Sequence, residues 1–194
     1  NDVLAPGDIR YADINGPDGV PDGVVDRYDE TIIGGSFAPE IIYGFNGSLK
    51  YKNLDFSFLF QGAGKIKQSY GGEGILPFFL GTGPAYKQNL DRWTPDNPNA
   101  SEPRVLIDGA QNRRGSTFWL KDASYLRLKN VEIAYNIPVK SFKQNLIQSL
   151  RIYVNANNVF TWTKIENFDP ENNQGRGWGY PQLRIWNIGL NVNF

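Results

Sequence analysis

One segment near the start of the sequence, from Asp13 to Asp29, has the composition of a cation-binding loop. Calcium takes several oxygen ligands in a flexible geometry, and EF-hand-like loops supply them at alternate positions with glycine at the sharp turn. If residues 17–21 form a bulged insertion, the remaining spacing fits this pattern, with Gly23 at the turn. The segment therefore predicts one structural calcium ion. Its candidate ligands are Asp13, Asn15, Asp18, Asp22, the Val24 carbonyl, Asp26 and Asp29.

The same segment has a simpler interpretation as a solvated loop. Asp, Asn and Gly favour turns whether or not a metal is bound. Asp18-Gly19 repeats the Asp-Gly pair and could replace Asp22-Gly23, so the ligand set stays open. No amphipathic helices flank the loop, and a calcium-triggered opening is therefore not expected.

Catalytic chemistry has little support in this composition. The chain contains no His and no Cys, which excludes the commonest general base and thiolate chemistry. Twenty basic residues balance twenty acidic ones, so no nucleic-acid partner is indicated. Asp169 and Glu171 could be proposed as a glycosidase-like carboxylate pair, but they stand two apart on either side of a proline, and turn chemistry explains them better. We predict no catalytic residue and no enzyme activity.

The composition also limits how the chain could meet a membrane. No apolar run approaches the roughly 20 residues of a spanning helix, and residues 1–10 lack the pattern of a signal peptide. The chain has 5 Trp, 10 Tyr, 12 Phe and 21 Gly, with a mean hydropathy of −0.44. Transmembrane β-barrels combine such aromatic enrichment with soluble-looking average hydropathy. A membrane protein of this composition is expected to be an all-β barrel.

Period-two alternation marks the expected strands. The last nine residues alternate without a break, with Trp186, Ile188, Leu190, Val192 and Phe194 on one face. Asn187, Gly189, Asn191 and Asn193 lie on the other face. A strand that stops on phenylalanine resembles the assembly signal of bacterial outer-membrane barrels. We therefore expect the apolar face to meet lipid.

Three further regions predict strands. Residues 41–51 and 54–61 form a hairpin around a Lys52-Asn53 turn. One face of its second strand is apolar and carries Leu54, Phe56, Phe58 and Phe60. Residues 125–136 form a third strand whose alternation falters near Arg127 and Lys129, which predicts either a bulge or a strand that leaves the apolar band at this point. Residues 150–157 continue into an aromatic stretch at 160–162, and residues 141–144 resemble a capping box that opens a short helical turn.

The connections between these strands alternate in length. The turns at 52–53 and 138–149 are short, whereas the segments at 63–117 and 164–181 are long. Outer-membrane barrels have short periplasmic turns and long extracellular loops. We expect residues 1–40 to be an extracellular loop with the calcium-like segment, and residues 41–194 to be barrel strands and loops.

Taken together, these segments resemble the C-terminal part of SusC/RagA proteins, which are TonB-dependent outer-membrane transporters. The similar segments occur in the family's order and cover nearly the whole chain. They are residues 6–16, 26–27, 32–34, 43–46, 55–62, 93–98, 124–131, 157–162, 169–171 and 180–181. The doubled Asp-Gly pair departs from the simplest form of the family's Asp/Gly loop.

The resemblance implies a plugged barrel of about 22 strands in the bacterial outer membrane. It also implies TonB as a partner through a preceding part of the protein, and a SusD-like surface lipoprotein that helps capture oligosaccharides or peptides. About five strands cannot close a barrel, so we expect the remainder of the same transporter, its plug and earlier strands, to be a partner of this chain.

Two questions stay open at this point. A soluble, calcium-stabilised carbohydrate-binding sandwich is the alternative function, although it would leave the aromatic hairpin face uncovered. Weak candidates for substrate contact are Trp93, Trp178 and Tyr180, and each could instead face the lipoprotein.

Overall fold

The computed structural model describes residues 4–107, 109–138, 147–172 and 175–194. Contacts divide the chain into two compact units, which we name by their content. The loop unit comprises Asn1–Phe37, Lys67–Asp122 and Asn172–Gly179, and the strand unit comprises Ala38–Ile66, Ala123–Glu171 and Tyr180–Phe194. This grouping does not test which residues lie outside a membrane, so the predicted division at residue 40 stays a prediction.

The strand unit is one antiparallel sheet of five strands. Its spatial order is β1, β2, β5, β6, β7, so strands that are adjacent in the sheet follow one another along the chain apart from a long insertion after β2. The bounds are Ile41–Tyr51 (β1), Leu54–Gly64 (β2), Tyr125–Ile137 (β5), Ser149–Thr163 (β6) and Ile185–Asn193 (β7). The five predicted strands are confirmed: β1 has its predicted bounds, β2, β5 and β6 run up to three residues further, and β7 spans Ile185–Asn193 and so ends before Phe194.

One face of this sheet is apolar from edge to edge. Register pairing aligns one apolar residue of each strand in a row that crosses the whole sheet. That row is Leu49, Phe56, Ile133, Val154 and Ile188. Its end members are strongly exposed, Ile188 at 82% and Leu49 at 65%. The next row repeats the pattern with Tyr51, Leu54, Tyr135, Ile152 and Leu190.

Aromatic rings form a cluster along β2 on the apolar face. Phe58 packs on Phe45, Phe56 and Phe60, with ring centroids 5.6–5.7 Å apart. Phe60 also contacts Trp162, whose centroid lies 6.1 Å away. Such rings enrich the interfacial girdles of membrane barrels, where their apolar faces and polar edges suit the headgroup region.

The opposite face of the sheet is polar and hydrogen-bonded across the strands. A row one residue out of phase with the apolar rows is formed by Ser48, Ser57, Glu132, Asn155 and Asn187. Arg151 Nη2 lies 2.5 Å from Glu132, and Asn187 donates to the Asn155 side chain at 2.8 Å. The two faces therefore suit two different solvents, as the sequence alternation predicted.

The predicted bulge is confirmed and lies at Lys129. The register shifts between β2 and β5 at Leu59/Phe60 and between β5 and β6 at Leu128/Asn130. Because one extra residue reverses the alternation, Leu128 shares the apolar face with Val131 across the bulge. Arg127 consequently lies on the polar face, where it is 2% exposed.

The loop unit contains only short elements. Lys67–Ser69 (β3) and Leu120–Asp122 (β4) form a two-stranded sheet. The sequence did not predict it, because a strand of three residues is too short to show alternation. Four short 3₁₀ turns complete the described elements: Arg27–Asp29, Phe79–Gly81, Lys87–Asp91 and Gln111–Arg113. None of the helical elements in the described ranges is long and apolar enough to cross a membrane. The predicted capping box at 141–144 lies outside the described residues.

Long-range polar contacts close the loop unit on itself. Arg104 binds the Asp8 carboxylate with two N–H groups at 2.5 and 2.8 Å, and Asn112 donates to the same carboxylate at 3.0 Å. Asn112 also accepts the Ile9 N–H at 2.8 Å. Its carbonyl accepts the indole N–H of the buried Trp119. The bonds of Asp8 and Ile9 join parts of the sequence about a hundred residues apart, which no local pattern predicts.

The apolar and polar faces of β7 should tolerate a charged residue differently in the assembled protein. In the full transporter, Leu190→Arg should lower the folded, heat-modifiable fraction in outer membranes, because an arginine facing hydrocarbon costs roughly 2–4 kcal/mol near the midplane. Asn187→Arg is the matched control on the polar face. Asn191 is less suitable because it lies opposite Arg151. Equal damage from both changes, or greater damage from Asn187→Arg, would mean that the faces are assigned the wrong way round.

Candidate functional sites

The Asp/Gly segment is organised by carboxylates that accept backbone N–H groups. Asp29 accepts from Ile14 at 2.6 Å, from Asn15 at 3.0 Å and from Asp26 at 2.8 Å. Asp13 accepts from Asp22 at 3.3 Å and from Gly23 at 2.6 Å. The N–H of Asp26 is first among the groups that lower the pKa of Asp29, and those of Ile14 and Asn15 add to it. Two acidic side chains thus cross-link both ends of the segment.

The doubled Asp-Gly pair resolves into two different roles. Gly19 donates to the Gly16 carbonyl at 3.0 Å, which closes a turn with exposed Asp18 at its corner. Asp22 instead lies beside Asp13, and Gly23 follows it at a φ of 87°, a conformation that glycine adopts without strain. Asp22 therefore lies closer to Asp13 in the loop than Asp18 does by hydrogen bonding, and which Asp-Gly pair serves the predicted metal site stays a prediction.

The fit to calcium is incomplete in this arrangement. Among the described residues, no group of three or more acidic side chains is placed so that it could hold a metal ion. The oxygens of Asp13, Asp22, Asp26 and Asp29 are directed at N–H groups. Calcium binding would require several of them to exchange an N–H for the ion. The predicted calcium site and its ligands, including Asn15 and the Val24 carbonyl, therefore stay a prediction.

The three aromatic candidates have different surroundings. Trp93 is half-buried, and its ring packs on Gly7, where any side chain would come within 2.5 Å of it. Trp93 lines an open cleft together with Tyr11 and Phe118. Trp178 is 61% exposed and Tyr180 is 96% exposed. All three present ring surface, and their roles in substrate contact stay predictions.

A buried ion network on the polar face was not foreseen as a site. Arg127 Nη2 lies 2.7 Å from Asp169 and Nη1 lies 3.3 Å from Glu171, while Lys129 Nζ lies 3.1 Å from Glu171. The side chains of Arg127 and Asp169 are only 2% and 8% exposed. Asp169 and Glu171, the two carboxylates considered above as a glycosidase-like pair, are both engaged in these ion pairs. The interrupted alternation at Arg127 and Lys129 was the only sequence signal near this network. It indicated the bulge but did not indicate that Asp169 and Glu171 would be the ion-pair partners.

Asp169 also fixes the chain beyond the network. It accepts the N–H of Gln182 at 2.8 Å and that of Glu171 at 3.0 Å. Burial by itself raises the pKa of Asp169, but the bonds from Gln182 and Arg127 outweigh burial and hold this pKa below its usual value. The carboxylate is therefore charged at neutral pH. The bulge at Lys129 thereby becomes the attachment point of the connection from β6 to β7.

The fold and these contacts define the class of the protein. A sheet that is apolar across one face and hydrogen-bonded between polar side chains on the other is part of the wall of a transmembrane β-barrel. Antiparallel strands joined alternately by short and long connections agree with this class. The five strands described do not close a barrel by themselves.

Comparison with known proteins identifies the family. No protein-family model matches the chain. It is 33% identical to TonB-dependent receptor P26 of Formosa agariphila over 212 residues, a match that covers 100% of this chain and 20% of that receptor. It is 23% identical to the TonB-dependent receptor SusC of Bacteroides thetaiotaomicron, covering 97% of this chain and 18% of SusC. The chain belongs to the SusC/RagA family of TonB-dependent receptors.

Solved structures agree with this assignment. The chain superposes on a structure of the RagAB peptide importer in its open-open state with a TM-score of 0.71 and 28% identity, covering 93% of this chain and 20% of that one. A second structure, of the RagAB peptide transporter, gives a TM-score of 0.68 and 27% identity. The chain thus spans about a fifth of the length of the relatives it matches. These relatives are receptors and importers by name, which supports a role without catalysis.

The calcium prediction can be tested in the full transporter. We expect about one tightly bound calcium per chain by elemental analysis after dialysis against chelator-treated buffer, with oxygen ligands at roughly 2.3–2.6 Å. Asp22→Asn and Asp29→Asn should lower the bound calcium because each removes a charged ligand but keeps an acceptor for the N–H groups. Asp18→Asn is the internal control. Loss of calcium from Asp18→Asn but not from Asp22→Asn would contradict the insertion, and calcium-free wild type would contradict the site.

The ion network makes a separate prediction. Arg127→Met in the full transporter should destabilise the β6–β7 connection and expose it to protease, because breaking a buried ion pair leaves uncompensated charge and costs about 3–5 kcal/mol. Adding Asp169→Leu should recover much of that loss, since both buried charges are then gone. Lys50→Met, an exposed change on β1, is the control. If Arg127→Met cleaves no faster than Lys50→Met, the network does not hold this connection.

Proposed function

We propose that this chain forms part of the barrel wall and surface loops of an outer-membrane importer. The importer takes up oligosaccharides or peptides, acts with a SusD-like surface lipoprotein, and is energised through TonB. The observation that carries the proposal is the pair of apolar rows that cross all five strands, because a soluble protein does not leave such a face uncovered.

Sidedness follows from the connections. The chain leaves β1 at Tyr51 and β5 at Ile137 at one end of the sheet, where the short connections begin. It leaves β2 at Gly64 and β6 at Thr163 at the other end, where the long connections begin. We assign the short connections to the periplasm and the long ones to the cell surface, by the rule that holds for outer-membrane barrels. The long connections are then placed to meet nutrients and a surface partner.

Partner and substrate classes rest on the relatives. Two of the matching structures are described as the RagAB peptide importer and the RagAB peptide transporter. The second relative that supports this proposal is SusC, a TonB-dependent receptor by name. The exposed rings of Trp178 and Tyr180 are suited either to a sugar or peptide side chain or to the surface of a lipoprotein. The soluble carbohydrate-binding sandwich has no comparable support.

Uptake by intact cells tests the proposal. A strain that lacks the full transporter should lose growth on at least one oligosaccharide or peptide mixture supplied as the sole carbon source. Wild-type protein and Asn187→Arg should restore growth, whereas Leu190→Arg should not, because it fails to assemble. Dissipating the proton gradient should reduce uptake of the labelled nutrient by about tenfold or more, as TonB dependence requires. Growth of the deletion strain on every nutrient tested, or uptake that ignores the gradient, would contradict an energised importer.

A further inference from the structure

The register between β6 and β7 is not determined by alternation alone. A slip of one residue would exchange the two faces, which the apolar rows forbid. A slip of two residues would leave every side chain on its own face, because a strand repeats every two residues. A two-residue turn can fix the register of a hairpin, but the connection from β6 to β7 is long and spans residues 164–184. The side chains of β6 and β7 are therefore left to select among registers two residues apart.

The apolar face between these two strands gives at most a weak preference. Its pairs are Leu150 with Val192, Ile152 with Leu190, Val154 with Ile188, and Ala156 with Trp186. After a slip of two residues, Val154 would lie opposite Trp186 or Leu190. Both alternatives are apolar, and burial of apolar surface is non-directional. The apolar face therefore does not account for the observed register.

The polar face of β7 is repetitive except at one position. Its residues are Asn187, Gly189, Asn191 and Asn193. Because three of the four are asparagine, a slip of two residues can replace one asparagine by another. Arg151, for example, lies opposite Asn191 and would lie opposite Asn193 after one of the two slips. Gly189 is the residue of this face that no slip can replace with its like.

Tyr153 of β6 lies directly opposite Gly189, and its ring covers that glycine. A Cβ atom on Gly189 would collide with ring carbons and the hydroxyl oxygen of Tyr153. Gly189 is accordingly half-buried, whereas Asn187 and Asn191 on either side of it are exposed. The ring therefore occupies the space that a side chain at residue 189 would need. A slip of two residues would place an asparagine side chain in that space.

The ring of Tyr153 is also held from within the sheet. The guanidinium carbon of Arg151 lies 5.3 Å from the ring centroid, a cation–π contact. Arg151 in turn pairs with Glu132 of β5, with Nη2 2.5 Å from the carboxylate. Moving the ring away from Gly189 would disturb this contact. The position of the ring on β6 is thus coupled to β5, and β7 fits against it.

Hydrogen bonds at the end of the β6–β7 connection do not select the register. Asp169 accepts the N–H of Gln182 at 2.8 Å, and Asn158 donates to the carbonyl of Leu183 at 2.9 Å. Both bonds engage backbone groups, which nearly every residue carries, so they could form again with a neighbouring residue. A slip of two residues would move the chain by roughly 6.5 Å along the strand. The register of β7 therefore decides which residues of the connection reach Asp169 and Asn158.

We propose that Tyr153 and Gly189 form the side-chain pair that selects the register of β7 on β6. By selecting it, the pair also positions the end of the β6–β7 connection. Both residues act through the fit of a ring over a missing side chain, and they contact no substrate. The proposal concerns the barrel wall and does not depend on which nutrient the protein imports or on its lipoprotein partner.

Engineered disulfides in the full transporter report the register directly. The chain contains no Cys, and any cysteine elsewhere in the transporter would first be replaced. Directly opposite residues have Cα atoms about 4.5–5.5 Å apart, which a disulfide can span, whereas diagonal neighbours lie at about 7–8 Å. Ile152→Cys with Leu190→Cys reports the observed register. Ile152→Cys with Ile188→Cys, and Ile152→Cys with Val192→Cys, report the two slips. Peptide mapping by mass spectrometry after oxidation in outer membranes gives the yield of each cross-link.

Three variants then test the pair. Gly189→Ala should lower the ratio of native to slipped cross-links by about fivefold, the effect of one cross-strand pair, because the new Cβ displaces the ring. Gly44→Ala is the matched control: Gly44 also lies on the polar face, and a Cβ there would meet only the Phe60 carbonyl oxygen at 3.5 Å. The double variant Tyr153→Gly with Gly189→Tyr should restore the ratio, because the two residues of an antiparallel pair are geometrically equivalent.

Two results would overturn the proposal. If Gly189→Ala keeps the same ratio of cross-links as Gly44→Ala, the pair does not select the register. If the double variant slips, or fails to assemble, Gly189 is needed for a reason other than the ring of Tyr153. Should Gly189→Ala prevent assembly altogether, the double variant decides the matter, since assembly with the native cross-link supports the proposal and anything else contradicts it.

Discussion

Everything in the strand unit depends on cross-strand register. A strand presents alternate residues to opposite faces, so a single register holds an entire apolar row together and an entire polar row behind it. The row from Leu49 to Ile188 and the row from Ser48 to Asn187 are two consequences of the same pairing. A one-residue slip in any strand would place asparagine or glutamate among the rings. This constraint keeps the apolar face continuous across all five strands, as a barrel wall that faces lipid requires.

The bulge at Lys129 is the one place where the chain departs from this rule. An extra residue shifts Arg127 onto the polar face, where burial of a guanidinium requires partners. Asp169 and Glu171 supply them from the connection that follows β6. A local irregularity in one strand thereby determines where a distant loop attaches. Buried ion pairs contribute little net stability against an apolar alternative, and positioning is the better account of this one.

Carboxylates hold several turns of the loop unit, which has little regular structure of its own. Asp8, Asp29 and Asp91 each accept several hydrogen bonds, and the pKa of each lies below its ordinary value as a result, led by the bonds from Arg104, Asp26 and Ser101 respectively. Because these pKa values are depressed, the stabilisation is present above the ordinary carboxyl pKa and is lost as the pH falls through the lowered values. The loops are therefore expected to loosen in acid before the strands do, since sheet register does not depend on these charges.

The sequence by itself determined the five long strands, their faces and the irregularity near Lys129, because alternation is a local property that a run such as Trp186 to Phe194 reveals. It also indicated the family through ordered segments and the turn residues of the Asp/Gly loop. Tertiary structure decided what meets across long separations: Asp8 with Arg104, Arg127 with Asp169, and Ile9 with Asn112. It also decided that Asp22 rather than Asp18 lies beside Asp13. These pairings depend on how loops of irregular conformation close in space, and neither hydrophobic period nor turn propensity encodes that closure.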